Sequence, residues 1–504
     1  MTRPRLPMGR SIQTLDDADY VIVGTGAGGA TAARVLSEAG HSVVMLEEGP
    51  ELSPATRPRA LLDAMAQAMR DIGTLGTAAH VPFPLVQGRA VGGSTAINSG
   101  IIWRMPEPVR HALARDYGLE ELLDAAALER IYGRIEDELE VDEVDEAVMG
   151  GNGELMRRGA EALGLRGQKT ARNARRCRGR ARCLQGCPEG ARQSMEVSYV
   201  PRAQAHGARL HAGFRVRQVE FEGRVARAVV GERVDEDGRR VGGRVRVRAR
   251  RGVILSAGAI HSPLILRNSG LRARVGDGFT AHPGAAVVGR FEHSVGMGFG
   301  ATQSYQVPLF DRGLKLESLS LPPELLAARI PGSGDVWSER LRHLDDFAQW
   351  ATIARARARG RVRSTLGGRP RVDYELTAED VAMMQRGIAL LAAMLFAAGA
   401  CEVYPGVSGL PEVLTGPEQV SLITARPLKR QRLHLMASHL FGGACAGSDP
   451  ARSVVDPELR VHGVEGLHVM DASVFPDNLG VNPQHSIMAV AYHAAERLAE
   501  AQTN

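Results

Sequence analysis

Lysine is nearly missing from this chain. Of 62 basic residues among 504, only Lys169, Lys315 and Lys429 are lysines, and the rest are arginines. The formal net charge of +5 hints weakly at an anionic partner. The arginine bias nonetheless reads as a composition effect rather than as selection for phosphate binding. Aromatic residues are also sparse, at 4%. With so few rings for base stacking and no binding motif, nucleic-acid recognition is not expected. Five cysteines, three clustered and two isolated (Cys401 and Cys445), do not form a disulfide framework. No run of about 18 apolar residues appears, so no membrane-spanning helix is expected. The first twenty residues are partly basic but lack an apolar segment, so they do not read as a secretory signal. Cytoplasmic residence is the expectation these absences leave.

What is present is enough for a sizeable globular core. Hydrophobic residues make up 44% and charged residues 24%, both ordinary values. The length exceeds what one core usually supports, so two or more domains, possibly interleaved in sequence, are expected.

The chemistry begins at "ADYVIVGTGAGGATAARVLSEAGHSVVMLEEGP". An apolar run over Tyr20–Val23 suits a buried parallel strand, Ala30–Ala39 reads as a helix, and His41–Leu46 reads as a second strand. Between the first strand and the helix lies G-x-G-x-x-G, with Gly24 for the tight turn, Gly26 for close approach to a pyrophosphate and Gly29 for helix–strand packing. The helix N-terminus favours phosphate charge. Glu47, at the end of the second strand, is placed to accept hydrogen bonds from ribose hydroxyls. The motif signals dinucleotide binding without separating FAD from NAD.

Further along, residues 60–71 read as helix and 108–165 as charged helices. Residues 208–257 alternate like a β-meander, with "FEGRV" and "VDEDGRRV" as hairpin turns. Arginines alternate with Val245 and Val247, as on the solvent face of a strand. Strands followed by helices are expected over 283–430, including "TAEDVAMMQRGIALLAAMLFAAG", and the chain ends in a helix.

Several blocks together resemble the glucose–methanol–choline (GMC) oxidoreductases. "GRAVGGSTAINSGIIWR" (88–104) is similar to the first family signature. "AGAIHSPLILRNSGL" (257–271) is similar to the second, except that Arg272 stands where the pattern usually ends in Gly. "ASHLFGGACAG" and the block from Leu459 to the C-terminal helix complete the order, so the resemblance covers nearly the whole chain. It implies an α/β fold in which a Rossmann-like FAD-binding domain (14–100, 201–282 and 435–504) is interleaved with an α+β substrate domain (101–200 and 283–434). It also implies FAD as cofactor and an alcohol oxidised to aldehyde or ketone. His439 in "SHLFGG" falls at the family's base and Asn482 in "LGVNPQ" at its partner. A neutral imidazole is a natural acceptor for a hydroxyl proton, and an amide can hold the oxygen without competing for it. Around the cofactor, the resemblance places Gly92, Gly93, Asn98 and Gly100 along the flavin, and Val216 where a backbone edge meets adenine. Asp471 and Ala472 fall near the pyrophosphate and ribityl chain, with Gln484 beside them. Asp471 also reads as a plain helix cap. The "VNP" step resembles sterol and long-chain alcohol enzymes, which points to a lipophilic or aromatic alcohol. The acceptor that re-oxidises the flavin is oxygen, a quinone or a cytochrome.

Other histidines have blander readings. His434 is a rival for the base, His485 is a candidate to touch substrate or flavin, and His282 reads as structural at a domain junction. His462 and His468 read as surface or satisfied core residues.

The stretch "CRGRARCLQGCPEGARQS" leaves alternatives open. Its C-x5-C-x3-C-P spacing offers Cys177, Cys183 and Cys187 as ligands for an iron–sulfur cluster, with flanking arginines favouring thiolate. A disulfide, or a structural loop over the substrate entrance, are the other two. The ending "GCPEGARQS" resembles the long-chain alcohol oxidase and bacterial dehydrogenase branches, although Arg180 occupies the place of one further thiol. Two rival functions stand beside alcohol oxidation. One is a GMC relative doing non-redox or light-driven chemistry, and the other is an electron-transfer module with FAD as a structural ligand.

Overall fold

The computed structural model describes residues 12–501. Residues 1–11, which hold much of the stretch read as lacking a signal, and residues 502–504 of the expected FAD domain lie outside it.

The expected strand–turn–helix–strand opening is present. The strand Gln13–Val23 pairs in parallel with Val43–Leu46, and the helix Ala27–Glu38 crosses between them. The strand starts earlier than its apolar run because its polar first half pairs with Arg240–Leu255. Seven strands make this first sheet, in the order Arg209–His211, Val43–Leu46, Gln13–Val23, Arg240–Leu255, Val225–Val234 and Phe214–Glu222, with Leu467–Val469 alongside Arg240–Leu255. The members up to Arg240–Leu255 are parallel, as is Leu467–Val469, whereas the last two form the predicted meander and pair antiparallel. Along Arg240–Leu255, Val247 and Ala249 are buried while Arg248 and Arg250 are exposed, so the arginine alternation was a true period-2 signal. The helices Ala27–Glu38, Ala125–Glu138, Tyr199–Ala205 and Gln484–Glu500 pack together over this sheet.

A second, nine-stranded sheet is built entirely from antiparallel pairs. Its organising strand, Asp277–Arg290, pairs with Phe347–Ala354, Gly360–Ser364, Glu402–Tyr404 and Met436–Phe441. Asp277–Arg290 runs through the boundary expected at 282, and Met436–Phe441 lies inside the segment assigned to the FAD domain. Both strands belong to the second sheet, so His439 stands on the substrate side of the seam. The sheet's back is covered by two helices, Gly150–Ala162 and Ala378–Ala397.

Ala378–Ala397 is long and apolar enough to cross a membrane by length and composition alone, with mean hydropathy 1.4. That qualifies the expectation that no such segment exists. Here 61% of its apolar window is buried in the protein. Its start is closed by a capping box, in which the Thr377 hydroxyl accepts from the Asp380 amide and the Asp380 carboxylate accepts from the Thr377 amide. The two covering helices touch at Gly159, where an added Cβ would lie 2.4 Å from the Met394 carbonyl oxygen and 3.3 Å from the Trp350 ring.

Gly159→Ala is therefore expected to destabilise the protein by about 1–3 kcal/mol through overpacking. Gly133→Ala has open space around it in the helix Ala125–Glu138 and is expected to stabilise by about 0.5–1 kcal/mol. Denaturant unfolding of the two variants checks the opposite signs.

Candidate active site

A cavity of about 1820 Å³ runs along the seam between the two sheets. Typical small-molecule sites enclose roughly 300–1,000 Å³, so this one has room for a dinucleotide and a second molecule. Its first-sheet wall begins at the glycine loop. Gly24, at φ +97°, sits so close to Ser256 that a Cβ would meet the Ser256 carbonyl oxygen at 2.3 Å. Only glycine fits such a left-handed, crowded turn. No side chain caps the helix Ala27–Glu38, and no acidic residue stands in its first turn. Its free N–H groups and positive dipole end therefore face the cavity.

The glycine ribbon 88–100 lies against this loop. An added Cβ on Gly93 would come 2.9 Å from Gly26 Cα, and the Gly92 amide donates to Thr25 Oγ1 at 3.0 Å. Asn98 Nδ2 donates to Gln484 Oε1 at 2.7 Å, and the Gly100 amide donates to Asn98 Oδ1 at 2.9 Å. Ribbon and C-terminal helix are thus joined at the positions expected beside the flavin.

Of the twelve expected cofactor residues, Gly24, Gly26, Glu47, Gly93, Asn98, Val216, Asp471, Ala472 and Gln484 line the cavity. Gly29, Gly92 and Gly100 stand behind its wall. Gly29 has the packing role read from the motif, since its Cβ would lie 2.0 Å from the Gly24 carbonyl oxygen. Glu47 accepts from the Thr25 amide at 3.0 Å, the Thr25 hydroxyl at 2.8 Å and the Gly49 amide at 2.9 Å. Burial raises its carboxyl pKa, and these donors oppose the rise. A carboxylate has about four acceptor positions, so it keeps capacity for a ribose hydroxyl. Asp471 is both cap and wall. It accepts from the Ser473 amide at the start of Ala472–Val474 and from the Gly258 amide, each at 2.8 Å. The uncapped helix end, the tight glycine contacts and Glu47 together fit FAD.

Sequence reasoning missed the charged group around Glu48. Glu48 binds Arg70 through both carboxylate oxygens and Arg215 at 2.9 Å, and all three line the cavity with Val216. Burial, then the charge of Arg70, holds nearby His261 down to about 3. Glu48 directly follows Glu47, and nothing in the sequence announces its partners.

The reactive side is built from the second sheet. Strand register sets His282 directly opposite His439, and their Nδ1 atoms are 3.2 Å apart. His439 Nε2 lies 3.2 Å from Asn482 Nδ2, so the structure brings the two expected catalytic residues together. Burial, then the charge of Lys315, holds His439 down to about 3. His282 is likewise depressed by burial, by His439 and by Lys315. Its Nε2 faces Asn478 Oδ1 at 3.0 Å and the Gly480 amide at 2.9 Å. The reading of His282 as a plain junction residue is corrected, because it lines the cavity and touches the expected base.

Two other histidines are also settled by place. His434 is exposed at the cavity rim and contacts Ser408, away from Asn482. His485 is fully buried beside Tyr132 and does not line the cavity. One helical step beyond Gln484 turns its side chain into the core.

The cysteine loop does not gather its thiols. Cys177, Cys183 and Cys187 are free. Among the described residues, no group of three or more His, Cys, Asp or Glu side chains could hold a metal ion. Arg172 instead donates to Cys183 Sγ at 3.1 Å, to Cys177 Sγ at 3.8 Å and to the Ser99 carbonyl at 2.7 Å. Burial raises the Cys183 pKa, but Arg172 and Arg192 more than offset this, and the thiol ends up lowered. Arg192, from "GCPEGARQS", donates to the carbonyls of Ala96, Asn98 and Cys183. The loop thus braces the ribbon expected beside the flavin.

Comparison with known proteins agrees with this architecture. A family profile described as GMC oxidoreductase matches residues 18–284, and its C-terminal counterpart matches 356–491. An uncharacterised GMC-type oxidoreductase of Sinorhizobium fredii is 34% identical, over 95% of this chain and 94% of its own. A long-chain-alcohol oxidase of Arabidopsis thaliana is 27% identical, over 94% of this chain and 67% of its own. Among solved structures, formate oxidase of Aspergillus oryzae superposes with a TM-score of 0.75 at 17% identity, covering 98% of this chain and 99% of its own.

The buried histidines carry a pH signature. His485 is held down to about 3 by burial and then by Arg104, whereas an unfolded histidine titrates near 6.5. As pH falls through 6.5 the unfolded chain takes up the proton and the folded one does not, so folded stability drops. Buried carboxyls whose pKa is raised, Glu47 and Asp471, act on the slope in the opposite sense, so the histidine share is read from the difference between wild type and a histidine variant. His485→Phe is expected to reduce the slope by up to about 1.4 kcal/mol per pH unit near pH 5. Unfolding titrations at several pH values measure that difference.

Proposed function

This chain belongs to the GMC oxidoreductase family and binds FAD, and we propose that it oxidises a primary or secondary alcohol to the aldehyde or ketone with His439 as base. The observation that carries this reading is the His439–Asn482 contact in a cavity that also holds the dinucleotide wall. FAD, when bound, supplies the acceptor for the hydride that leaves the carbinol carbon. The chain's own residues handle the proton and the oxygen. A neutral His439 takes the hydroxyl proton at Nε2, and Asn482 Nδ2 donates to the oxygen as negative charge develops there. His439 remains neutral well below physiological pH, so it is ready as an acceptor.

The walls beyond this pair support a lipophilic alcohol. Leu319, Leu321, Leu325, Ile330, Val407 and Leu435 are among the residues that line the cavity. Gly284, Ala286 and Ala351 on the sheet leave space beside His439.

His439→Ala is expected to keep its FAD absorbance and lose about 10²–10⁴-fold in anaerobic flavin reduction by alcohol. Asn482→Ala is expected to lose about 10²–10³-fold. Flavin content and rapid-mixing absorbance measure both. Unchanged rates in His439→Ala would remove His439 as the base.

A further inference from the structure

Lys315, one of three lysines in the chain, is buried with 1% of its side chain exposed. Its Nζ donates to Asn482 Oδ1 and pairs with the Glu317 carboxylate, and it lies 5.6 Å from the centre of the Trp103 ring. Glu317 is 2% exposed and accepts from Gln303 Nε2 at 2.6 Å. Lys315 and Glu317 alternate on the strand Leu314–Ser318, so both face the same side of the sheet. A buried ion pair is weak evidence for stability, because apolar residues of similar volume often do as well. Its place against Asn482 calls for another reason.

The hydrogen-bond logic supplies one. From the His282 side, the tautomer of His439 is undecided. His282 Nε2 meets both an acceptor, Asn478 Oδ1, and a donor, the Gly480 amide. The Asn478 amide itself is fixed, since its Nδ2 donates to Thr280 Oγ1 and to the Ala356 carbonyl. A bare His282 Nε2 would place the shared proton on His282 Nδ1 and leave His439 protonated on Nε2. A protonated His282 Nε2 gives the reverse. Lys315 breaks this tie. An ammonium only donates, so the Asn482 atom it touches must be the carbonyl oxygen, and Asn482 Nδ2 must face His439. Two donors face each other unfavourably, so the fixed Asn482 amide puts the lone pair on His439 Nε2 and the proton on His439 Nδ1, with His282 Nε2–H donating to Asn478 Oδ1 at the cost of its contact with the Gly480 amide.

The geometry points to Lys315, with Glu317 as its counter-ion, as a positioning residue that fixes the Asn482 amide and keeps His439 Nε2 open to the hydroxyl proton. This rests on the alcohol-oxidation reading for its rate consequence, but its structural consequence stands alone. Without the ammonium, the Asn482 amide is free to turn its oxygen towards His439 and draw the proton to Nε2.

The test uses FAD-loaded protein labelled with 15N-histidine, in which the His439 signals are assigned by their loss in His439→Ala. The double variant Lys315→Met, Glu317→Leu removes both charges, so that no lone buried charge is left. Wild type is expected to show a lone-pair-type Nε2 at His439, and the double variant a shift towards protonated Nε2. Flavin reduction at saturating alcohol is expected to fall by about 10²-fold, as for loss of one preorganised donor, with KM little changed. If the double variant loses its flavin, Lys315→Met with Glu317→Gln, which likewise leaves no buried charge and no donor at position 315, is read the same way. An unshifted Nε2 signal overturns the inference, as does a shifted signal with a wild-type reduction rate. Failure of every alcohol to reduce wild-type flavin would sink the alcohol reading, while the nitrogen shifts would still judge the amide's orientation.

Discussion

The contact between His439 and Asn482 ties together two parts of the protein that share no sheet. His439 comes from Met436–Phe441, paired antiparallel in the second sheet. Asn482 comes from the loop entering Gln484–Glu500, the helix packed over the first. A 3.2 Å meeting of their side chains therefore requires both sheets to hold their mutual placement. The same seam brings the uncapped helix at Gly26 and the ribbon at Gly93 to the other end of one cavity. The cofactor wall and the His439–Asn482 pair are thus two consequences of one interface, and neither sheet alone would supply both.

Much of this was legible in the sequence because local patterns and glycine chemistry carried it. The GxGxxG turn, the parallel strands around it and the alternating arginines of the meander all follow from short-range steric and burial rules. The family blocks located His439 and Asn482, which no periodicity could have done. His282 was harder to read. It resembles a junction residue until strand register sets it opposite His439, and register is a long-range property. The surroundings of Lys315 and Glu48 depend on long-range placement in the same way, since Asn482, Arg70 and Arg215 lie far along the chain from them. Sequence leaves His485 open because Gln484, its neighbour, does line the cavity while the helix turns His485 inward.

The cysteine segment is tied to the ribbon by its arginines. Two of its three thiols, Cys177 and Cys183, contact one guanidinium, that of Arg172. Arg172 and Arg192 reach back to the carbonyls of Ser99, Ala96 and Asn98, so the loop fixes the ribbon that flanks the cavity. In this arrangement buried guanidinium groups donate to backbone carbonyl oxygens of the ribbon.

The account turns on proton and hydride leaving one alcohol at this pair. The most direct measurement is anaerobic single-turnover reduction of the bound flavin by a lipophilic primary alcohol, compared with the same alcohol deuterated at the carbinol carbon. Bleaching of the oxidised flavin bands, slowed several-fold by deuterium, is the predicted result. A flavin that stays oxidised in the dark with every alcohol offered would contradict it.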